Sequence, residues 1–185
     1  PGQEGGHAVA DVLFGDYNPA GRLPISVPRH EGQLPVYYNK KTPRGHDYVE
    51  LPADPLYPFG YGLSYTTFKY SDIKVEQKGK DHFNISFLLQ NSGQRSGDEV
   101  VQLYIRDNIA SVVQPIKQLK QFQRIHLEAG QQQMVSFRLT AQDLSIIDTR
   151  FEELVEPGQF TIMIGSSSDD TRLTAQIEVK QQANY

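Results

Sequence analysis

The chain has 185 residues, with 18 Lys and Arg against 22 Asp and Glu for a formal net charge of −4, and it contains no Cys and no Trp. The absence of cysteine excludes a disulfide framework, a thiolate metal site and a cysteine nucleophile, so core packing alone must hold the fold. A mildly acidic chain without a Lys/Arg run has no electrostatic footprint for nucleic acid or an anionic membrane surface, and no stretch approaches the ~18 consecutive apolar residues of a spanning helix. The chain begins at Pro1 rather than Met and lacks the basic and apolar regions of a signal peptide. At this length it can bury roughly 70% of its unfolded surface, which fits one domain with an extension.

Two textures meet near residue 66. Nine of the eleven prolines lie before it, from Pro1 to Pro58, and each removes a backbone donor and restricts its predecessor. One helix is predicted there, over Glu4 to Phe14, because Ala8, Val9, Val12 and Leu13 fall on one face; Gly15, Asp16, Asn18, Pro19 and Gly21 stop it. So short a helix needs a partner surface for its apolar face. From Phe68 onward the period changes to two, the spacing of a pleated strand. Strands are predicted at Phe68 to Glu76, Phe83 to Leu89, Val101 to Arg106, Leu119 to Leu127, Val135 to Leu139, Phe160 to Ile164 and Leu173 to Val179. A short piece is added at Ser145 to Asp148 and a helical turn at Ala141 to Leu144. In the third strand Val101, Leu103 and Ile105 alternate with Gln102, Tyr104 and Arg106, which places the two sets on opposite faces. Seven or eight strands at this spacing describe an all-β, immunoglobulin-like sandwich preceded by a short helix and a long Pro/Tyr-rich linker.

Chemistry is sparse. Five scattered histidines offer no i, i+4 pair for a metal, so no metal and no cofactor are expected. Asp169-Asp170 and Glu152-Glu153 are adjacent and read as solvated turns rather than acid/base pairs. Gly60-Tyr61-Gly62 lacks the strand–turn–helix frame of a dinucleotide loop. One constellation stands out: Tyr37, Tyr38, Tyr48, Tyr57, Tyr61, Tyr65 and Tyr70 place seven of ten tyrosines within 34 residues. A tyrosine joins a flat apolar face to a hydroxyl, which suits stacking on sugar rings and equally suits docking one protein surface on another. Tyr37, Tyr38, His46 and Tyr48 are accordingly the candidates for substrate contact.

The motifs carry more than the composition. Pro1-Gly2-Gln3-Glu4-Gly5-Gly6, continuing through Ala10-Asp11-Val12-Leu13-Phe14-Gly15-Asp16 to Asn18-Pro19-Ala20-Gly21-Arg22-Leu23-Pro24, resembles the closing segment of the second, α/β sandwich domain of glycoside hydrolase family 3. Pro58-Phe59-Gly60-Tyr61-Gly62-Leu63-Ser64-Tyr65 is similar to that family's junction into its fibronectin type III-like domain. Gly97-Asp98-Glu99-Val100-Val101-Gln102-Leu103-Tyr104, then Lys117-Gln118-Leu119-Lys120-Gln121-Phe122, then Pro157-Gly158-Gln159-Phe160 resemble successive landmarks of that domain. Lys120-Gln121 and Gly45-His46-Asp47-Tyr48 depart mildly from the family pattern.

The resemblance implies hydrolysis of β-linked glucosides or xylosides with retention, using a carboxylate nucleophile on a (β/α)8 barrel and an acid/base on the second domain. Both lie upstream of Pro1 by this reading, so no catalytic residue is expected in this chain and Glu4 is read as a helix-dipole carboxylate. The expected organisation is the terminal helix and tail of an α/β domain over 1–24, a linker over 25–66 and a sandwich over 67–182. Its expected partners are the barrel and α/β domains of the same enzyme and, through them, a β-linked oligosaccharide. A periplasmic or secreted location is expected, with any signal upstream. The unpartnered helix and linker also predict self-association or partial disorder of residues 1–60. The alternative reading is a carbohydrate-binding module that uses the Tyr37–Tyr70 cluster.

Overall fold

The structure, a computed structural model, describes residues 2–41 and 52–180. Helix α1, Gly5–Phe14, and a 3-10 turn at Glu31–Gln33 precede the strands. The strands are β1 (Phe68–Gln77), β2 (Phe83–Asn91), β3 (Gly97–Asp107), β4 (Gln118–Leu127), β5 (Gln132–Leu139), β6 (Ile146–Ile147), β7 (Glu153–Leu154), β8 (Gly158–Gly165) and β9 (Thr171–Val179), with a one-turn helix α2 at Ala141–Leu144. All pairings are antiparallel. Strands β1-β2-β5 form one sheet, β4-β3-β8-β9 a second, and β6-β7 a small hairpin. This is the expected all-β sandwich. The strand β7 went unread because two residues carry no period; its hairpin is set by Asp148, whose carboxylate accepts from the amides of Arg150 and Glu152.

Period two does the sorting. Phe83, Ile85, Phe87 and Leu89 of β2, with Val135, Phe137 and Leu139 of β5, face Val101, Leu103 and Ile105 of β3 and Phe160, Ile162 and Ile164 of β8 across one core. Phe87 is its centre, stacked 5.8 Å from Tyr70 and 6.3 Å from Phe137. Along one flank the sheets are joined by side chains: Gln121 and Gln123 of β4 donate to the carbonyls of Arg138 and Ser136 on β5, at 2.6 and 2.8 Å. These carbonyls belong to the free edge of β5, an otherwise open template for strand addition.

The proline-rich segment forms a third layer on the outer face of the four-stranded sheet. Residues 23–27 run antiparallel to 56–61 through Leu23 N to Tyr61 O, Gly60 N to Leu23 O and Val27 N to Tyr57 O. Only Val27 and Tyr57 make a ladder bridge, because Pro24, Pro28, Pro55 and Pro58 have no donor to give. The described part of residues 1–60 is thus tied down by backbone bonds. These backbone bonds, and the buried Gln33 amide donating to the Ala53 and Asp54 carbonyls, fix it. Leu63 is 67% exposed, and the core begins at Phe68.

Phe87→Ala should cost about 3–5 kcal/mol, lowering the thermal midpoint by roughly 10 °C, whereas Leu63→Ala should stay within about 0.5 kcal/mol. Thermal unfolding followed by circular dichroism separates the two.

Candidate functional site

Polar bonds tie α1 and its tail to the sandwich. Gly15, in the left-handed conformation at φ 84°, ends the helix. The Tyr65 hydroxyl donates to Val12 O at 2.7 Å, and Arg95 donates to Gly15 O while its guanidinium lies 5.6 Å from the Tyr65 ring centroid. Asn18 donates to Ser96 O at 2.9 Å and accepts from Tyr65 N at 2.8 Å. The apolar face of the helix is not used in these contacts: Val9, Leu13 and Phe14 are exposed.

Downstream, Arg22 donates to Glu99 of β3, and only 11% and 6% of these side chains remain exposed. Glu99 also accepts from Val100 N at 2.8 Å. A pair so far removed from water is worth little against an apolar isostere, but removing one partner strands the other charge. Two glycines make the approach possible. Gly62 packs so closely that a Cβ would lie 2.2 Å from Gly21 O, and Gly60, at φ 79°, would place one 2.2 Å from Gln102 Oε1. The Gly60-Tyr61-Gly62 motif thus lets the junction lie flat on β3, where the Gln102 amide donates to Gly60 O and Ser166 O and its oxygen accepts from the Tyr104 hydroxyl. Gln102 and Tyr104, on the face of β3 away from the sandwich core, are 2% and 1% exposed.

The tyrosines do not form one platform. Tyr70 is in the core, Tyr65 holds α1, and Tyr57 leans on Tyr61 at 5.0 Å. Tyr38 stacks on Phe59 at 4.2 Å, meets Tyr104 edge-on at 5.9 Å and accepts from Leu119 N. Tyr37 is 65% exposed and lines two adjoining cavities of about 280 and 300 Å³ together with Tyr38. Of the four candidates, Tyr37 and Tyr38 are brought to one groove, which Lys40, Asp54, Lys117 and Asp169 border; His46 and Tyr48 lie outside the described residues.

The carboxylates have separate partners. Asp170 pairs with Arg172 and accepts from Ser166, Asp169 lies 3.8 Å from Lys117, Glu152 pairs with Arg150 and Glu153 accepts from Ser145. Glu4 precedes α1 as its N-cap without capping it by its side chain, and its exposed carboxylate meets His7 at 2.8 Å. At the tail, Asp98 accepts from His126 and Arg124, and Arg124 donates on to the Tyr17 hydroxyl at 3.3 Å. Burial alone would raise the Asp98 carboxyl, but these hydrogen bonds outweigh it and hold it below its ordinary value. The hydrogen bond to Asp98 conversely holds His126 above its own. Among the described residues, no group of three or more His, Asp or Glu could hold a metal ion.

A seven-stranded antiparallel sandwich with a helix-bearing segment locked to its outer face is a fibronectin type III-like module joined to part of another domain. The comparisons agree. Residues 99–168 match a fibronectin type III-like domain, and residues 1–65 match the glycosyl hydrolase family 3 C-terminal domain. The chain belongs to glycoside hydrolase family 3. It is 44% identical over 90% of its length to a periplasmic beta-glucosidase of Salmonella typhimurium and 43% identical over 97% to a beta-xylosidase of Formosa agariphila, of which it covers 24% and 26%. A mutant beta-glucosidase from Listeria innocua, determined in complex with laminaribiose, superposes with a TM-score of 0.89 at 36% identity over 98% of this chain and 27% of that one. The chain therefore spans about a quarter of the length of the relatives it matches.

Gly60→Ala should destabilise the protein by about 1–3 kcal/mol through a left-handed backbone and the clash with Gln102. In a double-mutant cycle, Gln102→Ala should recover part of that loss; full additivity would contradict the contact. An NMR titration should place the His126 midpoint above the ordinary histidine value of about 6.5, with Asp98→Asn returning it. Because His126 is raised in the fold, its contribution to stability is complete below that ordinary value and is lost as pH rises through the folded one; Asp98, held low, loses its own contribution as pH falls through its lowered value.

Proposed function

We propose that this chain is a non-catalytic portion of a retaining glycoside hydrolase acting on β-linked glucosides or xylosides, and that its sandwich stabilises and packs against the catalytic domains. The observation that carries the reading is the junction. A segment matching the family's C-terminal domain is pinned to the fibronectin type III-like sandwich by a buried ion pair, a shared Asn18 amide and two obligatory glycines. Such a joint transmits orientation and has no chemistry of its own. The division of residues into tail 1–24, linker 25–66 and sandwich 67–182 belongs to the same proposal, as does a periplasmic or secreted location. The Salmonella relative described as periplasmic supports that location, and among the described residues no helix is long and apolar enough to cross a membrane. The barrel and α/β domains of the same enzyme are the proposed partners, and self-association would be the behaviour of the chain without them. A carbohydrate-binding module built on the tyrosine cluster finds little support, since five of the six described members are engaged within the protein.

The chain alone should release no nitrophenol from nitrophenyl β-glucoside or β-xyloside, while joining it to the upstream domains should give a folded, active enzyme. Turnover by the chain alone would overturn the proposal. In the joined enzyme Arg22→Met, which leaves Glu99 buried and unpaired, should cost about 3–5 kcal/mol and lower the thermal midpoint. The folded fraction should keep its KM.

A further inference from the structure

A third cavity, of about 260 Å³, lies between the junction and the sandwich; the proposed scaffold role uses the Arg22–Glu99 pair in its wall but not the space itself. Arg22, Tyr61, Glu99, Ser166, Asp170 and Arg172 are among the residues that wall it. Three separate parts of the chain therefore meet there: the tail, the junction and the β3 and β8–β9 region.

The lining has a definite chemistry. Two guanidinium groups face two carboxylates, so the wall has no net charge to attract an anion or a cation. It has a surplus of donors: Arg22 Nε and Nη1 are buried with no hydrogen-bond partner. In the core behind this wall the Tyr70 hydroxyl is also buried without a partner, and burial and the Glu99 charge hold its proton well above the ordinary tyrosine range. Unpartnered buried donors are rare because each forfeits its bond to water. Ser166 and Asp170 are already bonded to each other at 2.7 Å, and Asp170 also receives Arg172. The carboxylates nevertheless keep lone pairs for a further hydroxyl. Tyr61 and Phe68 add apolar ring surface to one wall.

We propose that this cavity binds a small neutral polyol the size of one sugar ring. A neutral molecule rich in hydroxyls both accepts from the guanidinium groups and donates to the carboxylates, gaining charge-assisted bonds without bringing a charge of its own to desolvate. The volume lies just below the ~300–1,000 Å³ of sites for drug-sized ligands, which admits one ring and excludes a longer oligosaccharide. A ligand seated there bridges Arg22 and Tyr61 of the tail and junction to Glu99 and Arg172 of the sandwich, so its binding free energy adds to the stability of the joint.

The test uses this chain, labelled with 15N, titrated separately with glucose, xylose, glycerol and sodium sulfate. At least one polyol should give saturable shifts at the amides of Tyr61, Thr66, Ser166, Asp170 and Arg172, and should raise the thermal midpoint; sulfate should do neither. Arg172→Ala removes a half-exposed donor from the rim and should weaken binding about tenfold with little change in the unliganded midpoint. Ser166→Ala serves as an independent second variant should the first lose structure. Saturable shifts from sulfate at these amides would make this an anion site and overturn the proposal. So would the absence of saturable shifts with every polyol, or equal affinity in both variants. None of these readouts depends on glycoside hydrolysis, so the scaffold reading stands or falls separately.

Discussion

Strand β3 is buried on both faces, and the rest of the molecule is arranged around that fact. Its odd positions, Val101, Leu103 and Ile105, fill the sandwich core. Its even positions, Gln102 and Tyr104, lie beneath the proline-rich layer. A two-layer sandwich would leave Gln102 in water, where its amide would cost nothing. Buried, it must be fully satisfied. Its three partners, Gly60 O, Ser166 O and the Tyr104 hydroxyl, come from the junction, the β8–β9 turn and its own strand. The amide thus ties three otherwise independent pieces of backbone at one point. Tyr38 completes the layer by stacking on Phe59 over Tyr104, so aromatic area replaces the ladder hydrogen bonds that the prolines withhold.

That arrangement explains where glycine is required. The positive φ at Gly60 and the close approach at Gly62 are consequences of laying a chain flat against a sheet whose outward side chains are large and polar. At Gly97 a Cβ would lie 2.4 Å from Asn18 Nδ2, so the first residue of β3 is also shaped by the tail. The opposite need appears where β4 and β5 pass each other. There the gap between sheet edges is spanned by long amides, Gln121 and Gln123, which occupy carbonyls that would otherwise accept a foreign strand.

Much of this was legible in the amino-acid sequence. Core strands announce themselves by alternation; α1 falls where apolar spacing puts it and α2 at the expected turn, where the structure adds a capping box between Thr140 and Asp143. The third layer was not legible. Alternation reports which residues face the core, and it assigns every other position to solvent by default; Gln102 and Tyr104 are chemically suited to either fate. Nor could the tyrosine cluster be resolved into its separate tasks, since proximity along a proline-broken chain says nothing about which ring meets which partner. The buried ion pair was hidden for the same reason: Arg22 and Glu99 are far apart in sequence and neither has a pattern. What pointed to them was the family resemblance, whose landmarks turn out to be the contact points of the joint, among them Arg22, Gly60, Gly62, Glu99 and Gln102.

The joint also divides its forces in an instructive way. On the sandwich side of the tail nearly every tie is polar and directional, through Tyr65, Arg95, Asn18 and Arg22, whereas the apolar surface of α1 is left out. Apolar burial is strong but indifferent to angle. Hydrogen bonds to helix carbonyls are weak singly yet fix both the position and the rotation of the helix end. A helix held by its C-terminal carbonyls has its orientation determined by the sandwich while its apolar stripe stays available. In a protein whose relatives are about four times longer, that combination suits a segment that must satisfy two neighbours at once: one sets its angle, and the other can cover its face without disturbing the first.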